Sequence, residues 1–145
     1  MPGWRRLQGW VTIYYTEFVV REESMGELVF VYGTLMRGKG NYRRFFQGNP
    51  EVKFVDEGVA EGLALYRVTK HYPGAVPEKG AFTRGEVFRV SRKVLRRLDL
   101  LEDEGDLYIR RKIQVRLKSG TTVEAWVYLW NRTPDPTTRV SEQRP

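Results

Sequence analysis

The stretch VFVYGTLMRGKGNYRRFF, residues Val29–Phe46, begins as an apolar run and continues as a turn rich in glycine and arginine. A continuous apolar run is typical of a strand buried on both faces. The run leads into Tyr32-Gly33-Thr34-Leu35. Glycine lets a backbone approach a ligand closely, and N–H groups in a concave turn are good donors to an anion. We therefore expect this turn to face a phosphate, a nucleic-acid backbone or a substrate carboxylate.

The chain as a whole is predicted to contain more strand than helix. The predicted strands are Leu28–Tyr32, Gly58–Arg67, Arg84–Val90, Tyr108–Leu117 and Thr122–Trp130. The turn Lys118-Ser119-Gly120-Thr121 is a hairpin signal between the last two strands. The segment VTKHYPGAVPEKG, residues 68–80, contains two prolines and two glycines and is predicted to be irregular.

One clear helix is predicted after Ser91, whose hydroxyl can accept a hydrogen bond from an orphan N–H group of the first turn. Its apolar stripe consists of Val94, Leu95, Leu98 and Leu101. A shorter helix is predicted at Asn41–Phe46. With so few helices, the long connections between strands indicate a closed or strongly curled sheet rather than a βαβ repeat.

The 145 residues predict one domain, residues 25–131, between two additional segments. Residues 1–24 form an N-terminal extension whose segment GWVTIYYTEFVV suits an added strand. Met25 follows this extension, so a start at Met25 is an alternative. Residues 132–145 contain three prolines among polar residues and are expected to be a flexible tail.

Several classes of protein are excluded by residue content. No apolar run approaches the length of about 18 residues that a membrane helix needs, and no signal peptide is recognisable. The chain has no cysteine and one histidine, His71, which argues against zinc sites and cysteine nucleophiles. No serine lies in a nucleophile elbow, and the glycines fit neither a P-loop nor a dinucleotide fingerprint. A cytoplasmic protein fits this content best.

The net charge of +7 favours anionic partners, nucleic acid included. Most of it comes from three clusters, which are Arg37, Lys39, Arg43 and Arg44; Arg92, Lys93, Arg96 and Arg97; and Arg110, Arg111, Lys112, Arg116 and Lys118. The simpler interpretation is a solvated surface that is rich in ion pairs. Nucleic-acid binding is therefore an alternative and not the main prediction.

Glu102 is the acid that the helical pattern singles out. On a helical wheel it lies about 50° from the middle of the apolar stripe, whereas Asp103 points well away from it. A carboxylate turned toward a core is partly desolvated, which raises its pKa toward the value that a general base needs near neutrality. The alternative is that the helix ends at Leu101 and that an acidic loop follows.

Four motifs follow one another along the chain: Tyr32-Gly33-Thr34-Leu35, Gly85-Glu86-Val87-Phe88, the LDLLED sequence that contains Glu102, and Leu107-Tyr108-Ile109-Arg110. In this order and spacing they resemble the γ-glutamylcyclotransferase-like superfamily, and most closely its small γ-glutamylamine cyclotransferase branch. The resemblance extends from about Leu28 to Tyr128. It implies an α+β fold, a small mostly antiparallel or mixed β-barrel with one or two short helices.

The resemblance also implies a reaction and a site. Such enzymes convert a γ-glutamyl amide to 5-oxoproline and a free amine, without a metal or cofactor. Glu102 corresponds to the catalytic glutamate, and Tyr32, Gly33, Thr34 and Leu35 correspond to the turn that binds the γ-glutamyl group. Tyr108 corresponds to a pocket tyrosine, and Tyr72-Pro73-Gly74 to a segment at the pocket mouth.

The sequence leaves other interpretations of the function open. The identity of the released amine and the oligomeric state are not predicted. A barrel that binds a polyanion without catalysis is one alternative, and a relative that binds γ-glutamyl compounds without turnover is another. Salt dependence separates the first from an enzyme, because polyanion binding releases counterions.

Overall fold

The computed structural model describes residues 26–33, 35–70 and 72–140. Five strands and one α-helix make up the main part of the fold. They are β1 Glu27–Val31, β2 Val52–Arg67, β3 Pro73–Val90, α1 Arg92–Leu101, β4 Tyr108–Leu117 and β5 Thr122–Trp130. A five-residue π-helical segment at Tyr42–Phe46 follows β1, and a 3-10 turn at Pro136–Thr138 follows β5.

The strands form a closed barrel in the order β1-β3-β2-β4-β5. Strand β3 pairs antiparallel with β1 and with β2, and β4 pairs antiparallel with β5. The barrel closes through parallel bridges from β5, at Val29 with Trp126 and at Ala75 with Leu129. The prediction of a small mixed β-barrel with one or two short helices is confirmed.

Two strands, β2 and β3, begin earlier in the chain than the sequence pattern indicated, and β2 begins at Val52 and not at Gly58. Strand β3 begins at Pro73 and not at Arg84, because residues 73–77 pair with the end of β2, from Arg67 opposite Pro73 to Leu63 opposite Pro77. The prediction that all of residues 68–80 are irregular is therefore wrong. The register then shifts, and residues 78–81 have no pairing partner on β2 opposite Gly62. A proline is tolerated at a strand's first residue or beside such a bulge.

The buried residues form two main clusters, one on each face of the sheet. The first contains residues of all five strands, among them Phe30, Val87 and Val127. The second lies between the sheet, α1 and the π-helical segment, and contains Val29 and Val31. Successive residues of β1 thus face opposite clusters, as the period of a strand requires. The prediction that β1 is buried on both faces is confirmed.

Helix α1 begins as predicted and ends with a specific cap. Ser91 Oγ accepts a 3.1 Å hydrogen bond from the Val94 N–H. At the other end Asp103, with φ of 52°, adopts the left-handed conformation. Its N–H bonds the Leu100 carbonyl, and the N–H of Glu104 bonds the Asp99 carbonyl. These two bonds form a Schellman motif, which fixes Glu102 as the capping residue.

The segment after β5 contacts the barrel before the described residues end. The Val140 N–H donates a 2.8 Å hydrogen bond to the Leu65 carbonyl, and Arg139 pairs with Glu78 at 2.6 Å. Residues 139 and 140 thus lie along β2, although the sequence had indicated a flexible tail from residue 132. The predicted N-terminal extension, residues 1–24, lies outside the described residues.

Candidate active site

A pocket opens where the end of β1, the start of β3, the end of α1 and β5 meet. Its volume is about 410 Å³, including the part that is open to solvent. It is lined by Phe30, Val31, Tyr32, Gly33, Leu35, Tyr72, Pro73, Glu102, Tyr108 and Tyr128. Five of the six residues predicted from the sequence therefore line one pocket. The sixth, Thr34, lies outside the described residues.

Glu102 is the acid of this pocket. The helix ends at Leu101, as the alternative reading had it, but the Glu102 N–H still bonds the Leu98 carbonyl at 2.9 Å and continues the helical path. The side chain consequently points into the pocket instead of joining the acidic loop. Although part of it stays accessible, desolvation raises the pKa of the carboxyl from 4.5 to about 7. Glu102 can therefore accept and donate a proton near neutrality.

Tyr32, Tyr108 and Tyr128 line the pocket together with Glu102, and each donates its hydroxyl hydrogen to a fixed partner, Tyr128 to the Asp99 carboxylate. Tyr32 donates to the Tyr128 carbonyl at 2.5 Å, and its oxygen accepts the Ala75 N–H at 3.2 Å. Tyr108 donates to the Pro73 carbonyl at 2.9 Å. Burial raises the pKa of all three phenols, and the charge of Glu102 adds to the effect. The three tyrosines therefore remain neutral near neutral pH. Of these four side chains, Glu102 is the one that changes its protonation state there.

The turn after β1 brings its backbone close to β3. The Met36 N–H bonds the Gly33 carbonyl at 3.0 Å, which closes the turn. A Cβ at Gly33 would lie 3.3 Å from the Pro73 ring, so glycine permits this close approach. None of the described lining residues is a lysine or arginine, so an anion here would meet backbone N–H or hydroxyl donors and not a cationic side chain.

A polar network behind the pocket was not predicted from the sequence. Asp99, one turn before Glu102, accepts hydrogen bonds of 2.8 Å and 3.1 Å from the Arg110 guanidinium. Arg110 also lies over the Trp126 ring, 4.2 Å from its centroid. Tyr128 joins the network through its hydroxyl. The only hint of this network in the sequence was the motif Leu107-Tyr108-Ile109-Arg110, which places Arg110 two residues after the pocket residue Tyr108.

Each of the three basic clusters includes residues that pair with carboxylates. Examples are Arg37 with Glu86 at 3.2 Å and Arg116 with Glu61 at 2.5 Å. These pairs fit the interpretation of a surface rich in ion pairs. Within the described ranges, no helix has both the length and the apolar character to cross a membrane. In the same part of the chain, no three His, Cys, Asp or Glu residues are grouped as a metal site.

Comparison with known proteins identifies the family. The model of the family described as "Gamma-glutamyl cyclotransferase, AIG2-like" matches residues 29–144, most of the chain. The chain belongs to this family. Membership of the AIG2-like gamma-glutamyl cyclotransferases confirms the resemblance that the sequence motifs indicated, and it supports a cyclotransferase activity.

Individual members of the family agree with this assignment. A putative gamma-glutamylcyclotransferase of Methanocaldococcus jannaschii is 38% identical over 106 residues, covering 72% of this chain and 84% of the relative. Gamma-glutamylaminecyclotransferase A of Danio rerio is 33% identical over 114 residues, covering 69% and 66%. The crystal structure of an AIG2-like protein of Mus musculus matches with a TM-score of 0.67 and 31% identity, covering 77% and 81%.

Proposed function

We propose that the protein converts a γ-glutamyl amine or γ-glutamyl peptide to 5-oxoproline and the free amine, with Glu102 as general base and then general acid. The observation that carries the proposal is the position of Glu102. Its carboxyl, with a pKa of about 7, lines the same pocket as the Gly33 turn. A general base works best when its pKa lies near the working pH.

In the first step, Glu102 takes a proton from the α-ammonium of the substrate. The freed amine attacks the γ-carbonyl carbon, so a C–N bond forms within the substrate and closes a five-membered ring. Because the substrate supplies the nucleophile, the protein needs no serine or cysteine for it. The described residues that line the pocket include neither residue type, which suits this route.

The second step breaks the bond to the original amide nitrogen. Protonated Glu102 returns the first proton to that nitrogen as the C–N bond to it breaks and the amine departs. The ring nitrogen then loses a second proton, which the departing amine takes up to become an ammonium ion. No water is consumed. Much of the rate enhancement would come from holding the amine against the γ-carbonyl, since well-oriented intramolecular reactions gain several orders of magnitude.

Substrate recognition is assigned to the turn Tyr32, Gly33, Thr34 and Leu35, and to Tyr108. Backbone N–H groups of the turn would bind the α-carboxylate and stabilise the tetrahedral oxyanion. The neutral, buried tyrosines would form the wall that orients the γ-glutamyl chain. Tyr72, at 48% exposure, lies on the open side, where the leaving amine would be released.

The test is a product assay over a substrate panel. The protein is incubated with γ-glutamylamines, including γ-glutamyl-lysine, and with γ-glutamyl dipeptides, while 5-oxoproline is followed by mass spectrometry. We expect release from at least one member, with little dependence on salt. Binding of these compounds without product would instead support a ligand-binding relative. A steep fall of affinity for single-stranded nucleic acid with salt, without turnover, would support the polyanion alternative.

A further inference from the structure

The motif Gly85-Glu86-Val87-Phe88 contains a buried acid to which the reaction assigns no role. Glu86 lies on β3 and is 7% exposed. Burial of a carboxylate costs free energy unless the charge is paired and hydrogen-bonded. Both oxygens of Glu86 are hydrogen-bonded, and both partners belong to one residue of the turn after β1.

That residue is Arg37. Its backbone N–H donates a 2.8 Å hydrogen bond to Glu86 Oε1, and its Nε donates a 3.2 Å hydrogen bond to Oε2. The guanidinium also lies 3.7 Å from the centroid of the Phe54 ring and 3.7 Å from Glu57 Oε2. The Arg37 side chain is thus held on the barrel surface, and it does not line the pocket.

Glu86 also holds the other end of the same turn. In the antiparallel pairing of β1 with β3, the backbone partner of Glu86 is Val31, the last residue of β1. After Val31, β1 ends and the chain separates from β3. It passes Gly33 and Leu35 at the pocket and returns at Arg37 to the side chain of Glu86. One residue therefore anchors both ends of the turn that lines the pocket.

We propose that Glu86 is a positioning residue, which holds the substrate turn in its binding conformation through the backbone N–H of Arg37. This role rests on the proposed function in one respect, that the turn binds the γ-glutamyl group. In this proposal Arg37 helps to anchor the turn and does not bind the substrate carboxylate. A turn that is already ordered binds with a smaller loss of conformational entropy, so the anchor acts mainly on substrate affinity.

Two variants separate the backbone contact from the side-chain contact. Glu86→Ala removes both hydrogen bonds, whereas Arg37→Met removes only the guanidinium and keeps the N–H at position 37. We expect Glu86→Ala to raise KM about tenfold or more, the effect of losing a hydrogen bond to a charged group. We expect kcat to change less and the pH profile to stay that of the wild type. Arg37→Met should raise KM less than Glu86→Ala does, because the N–H bond to Glu86 remains, while its loss of the charge pair should lower the free energy of unfolding.

An unchanged KM in Glu86→Ala would overturn the proposal, and so would a KM in Arg37→Met that rises as far as in Glu86→Ala. If Glu86→Ala does not fold, Glu86→Gln takes its place. Gln keeps an oxygen that can accept the N–H of Arg37 but loses the negative charge. If this variant had the KM of the wild type while its Arg37 amide exchanged freely, the proposed anchor would be contradicted.

Amide hydrogen exchange tests the anchor without any turnover. We expect the Arg37 amide to be protected in the wild type and to exchange at least about tenfold faster in Glu86→Ala, while Val87 and Phe88 keep their protection. Equal exchange of the Arg37 amide in both proteins would contradict the proposal. Absence of 5-oxoproline with the wild type, by contrast, would count against the proposed reaction and leave this readout intact.

Discussion

The hydroxyl of Tyr128, on β5, donates a 2.7 Å hydrogen bond to Oδ1 of Asp99, on α1. The same carboxylate receives the Arg110 guanidinium from β4. Asp99 is one turn before Glu102, so two neighbouring strands hold the end of the helix that carries the proposed base. The proposed base is positioned by this long-range contact and by the helix cap.

Replacing Asp99 tests this anchor. Asp99→Asn removes the charge that holds Arg110, in a pair whose side chains are 22% and 23% exposed. Hydrogen bonds to charged groups contribute about 1.5–3 kcal/mol, so we expect a loss of about 2 kcal/mol in the free energy of unfolding. Displacement of Glu102 should lower kcat about tenfold. Chemical denaturation and steady-state kinetics measure the two effects.

Glu124→Gln is the matched control for that experiment. Glu124 pairs with Lys112 at 3.9 Å, and the two side chains are 56% and 45% exposed. Exposed pairs contribute less than about 1 kcal/mol, so this variant should keep both the stability and the kcat of the wild type. Equal losses in the two variants would show that the Asp99 network does not specifically hold the helix end.

The pH profile of the reaction should report Glu102. Because the carboxylate is the active base, kcat/KM should be low at acidic pH and rise tenfold per pH unit until it levels near the carboxyl pKa of about 7. Initial rates between pH 5 and pH 9 give this profile. An acid limb near 4.5, the ordinary pKa of a glutamate, would mean that Glu102 is not desolvated in the free enzyme.

The same pKa makes stability depend on pH. The folded pKa of Glu102 is raised to about 7 from 4.5, so the folded protein binds more protons than the unfolded chain between these values. Stability conferred by the neutral acid is present below pH 4.5, is lost as pH rises toward 7, and stays lost above it. A pKa shift of this size changes the free energy of unfolding by up to about 3 kcal/mol, and the remaining solvent access of the side chain reduces this value.

Glu102→Gln, which cannot ionise, should therefore be more stable than the wild type at pH 8, by about 2 kcal/mol, and similar to it at pH 4. Urea denaturation of both proteins at the two pH values measures the difference. A variant that is less stable than the wild type at pH 8 would contradict a desolvated carboxylate.

Gly85 is expected to tolerate no side chain. A Cβ there would lie 2.2 Å from the Val31 carbonyl oxygen and 2.7 Å from Cζ of Phe30. Overpacking of this kind costs about 1–3 kcal/mol or more, so Gly85→Ala should lose at least about 2 kcal/mol of stability. Gly40→Ala, with no atom within 4 Å of its Cβ, is the control and should unfold like the wild type. Thermal unfolding of both variants is sufficient.

Where local signals were strong, the fold was predictable from the sequence. Strands Tyr108–Leu117 and Thr122–Trp130 have the predicted bounds, because a glycine-containing turn separates two β-rich runs. Helix α1 begins at the predicted serine cap. The first half of β3 was missed because Pro73 and Pro77 are poor strand formers. Its pairing with the end of β2 is a tertiary effect that outweighs local preference.

Those parts of the candidate site that depend on local sequence were predictable. Helical periodicity predicted that Glu102 faces the core, and the change from strand to turn singled out Gly33. The anchors were not predictable, because each joins residues that are far apart in the chain: Glu86 with Arg37, 49 positions apart, and Tyr128 with Asp99, 29 apart. Such contacts depend on barrel closure and register, which no local pattern encodes. The catalytic role of Glu102 stays a prediction.

The central claim is that Glu102 transfers the proton during ring closure. The most direct measurement is the rate of 5-oxoproline formation from an accepted γ-glutamyl substrate by the wild type, Glu102→Gln and Asp103→Asn. Asp103 is the matched control, since it is an exposed neighbouring acid and asparagine also tolerates its left-handed backbone. We predict a loss of about 10²–10⁴-fold in Glu102→Gln, with near-normal turnover in Asp103→Asn. Turnover by folded Glu102→Gln at the wild-type rate would contradict the claim.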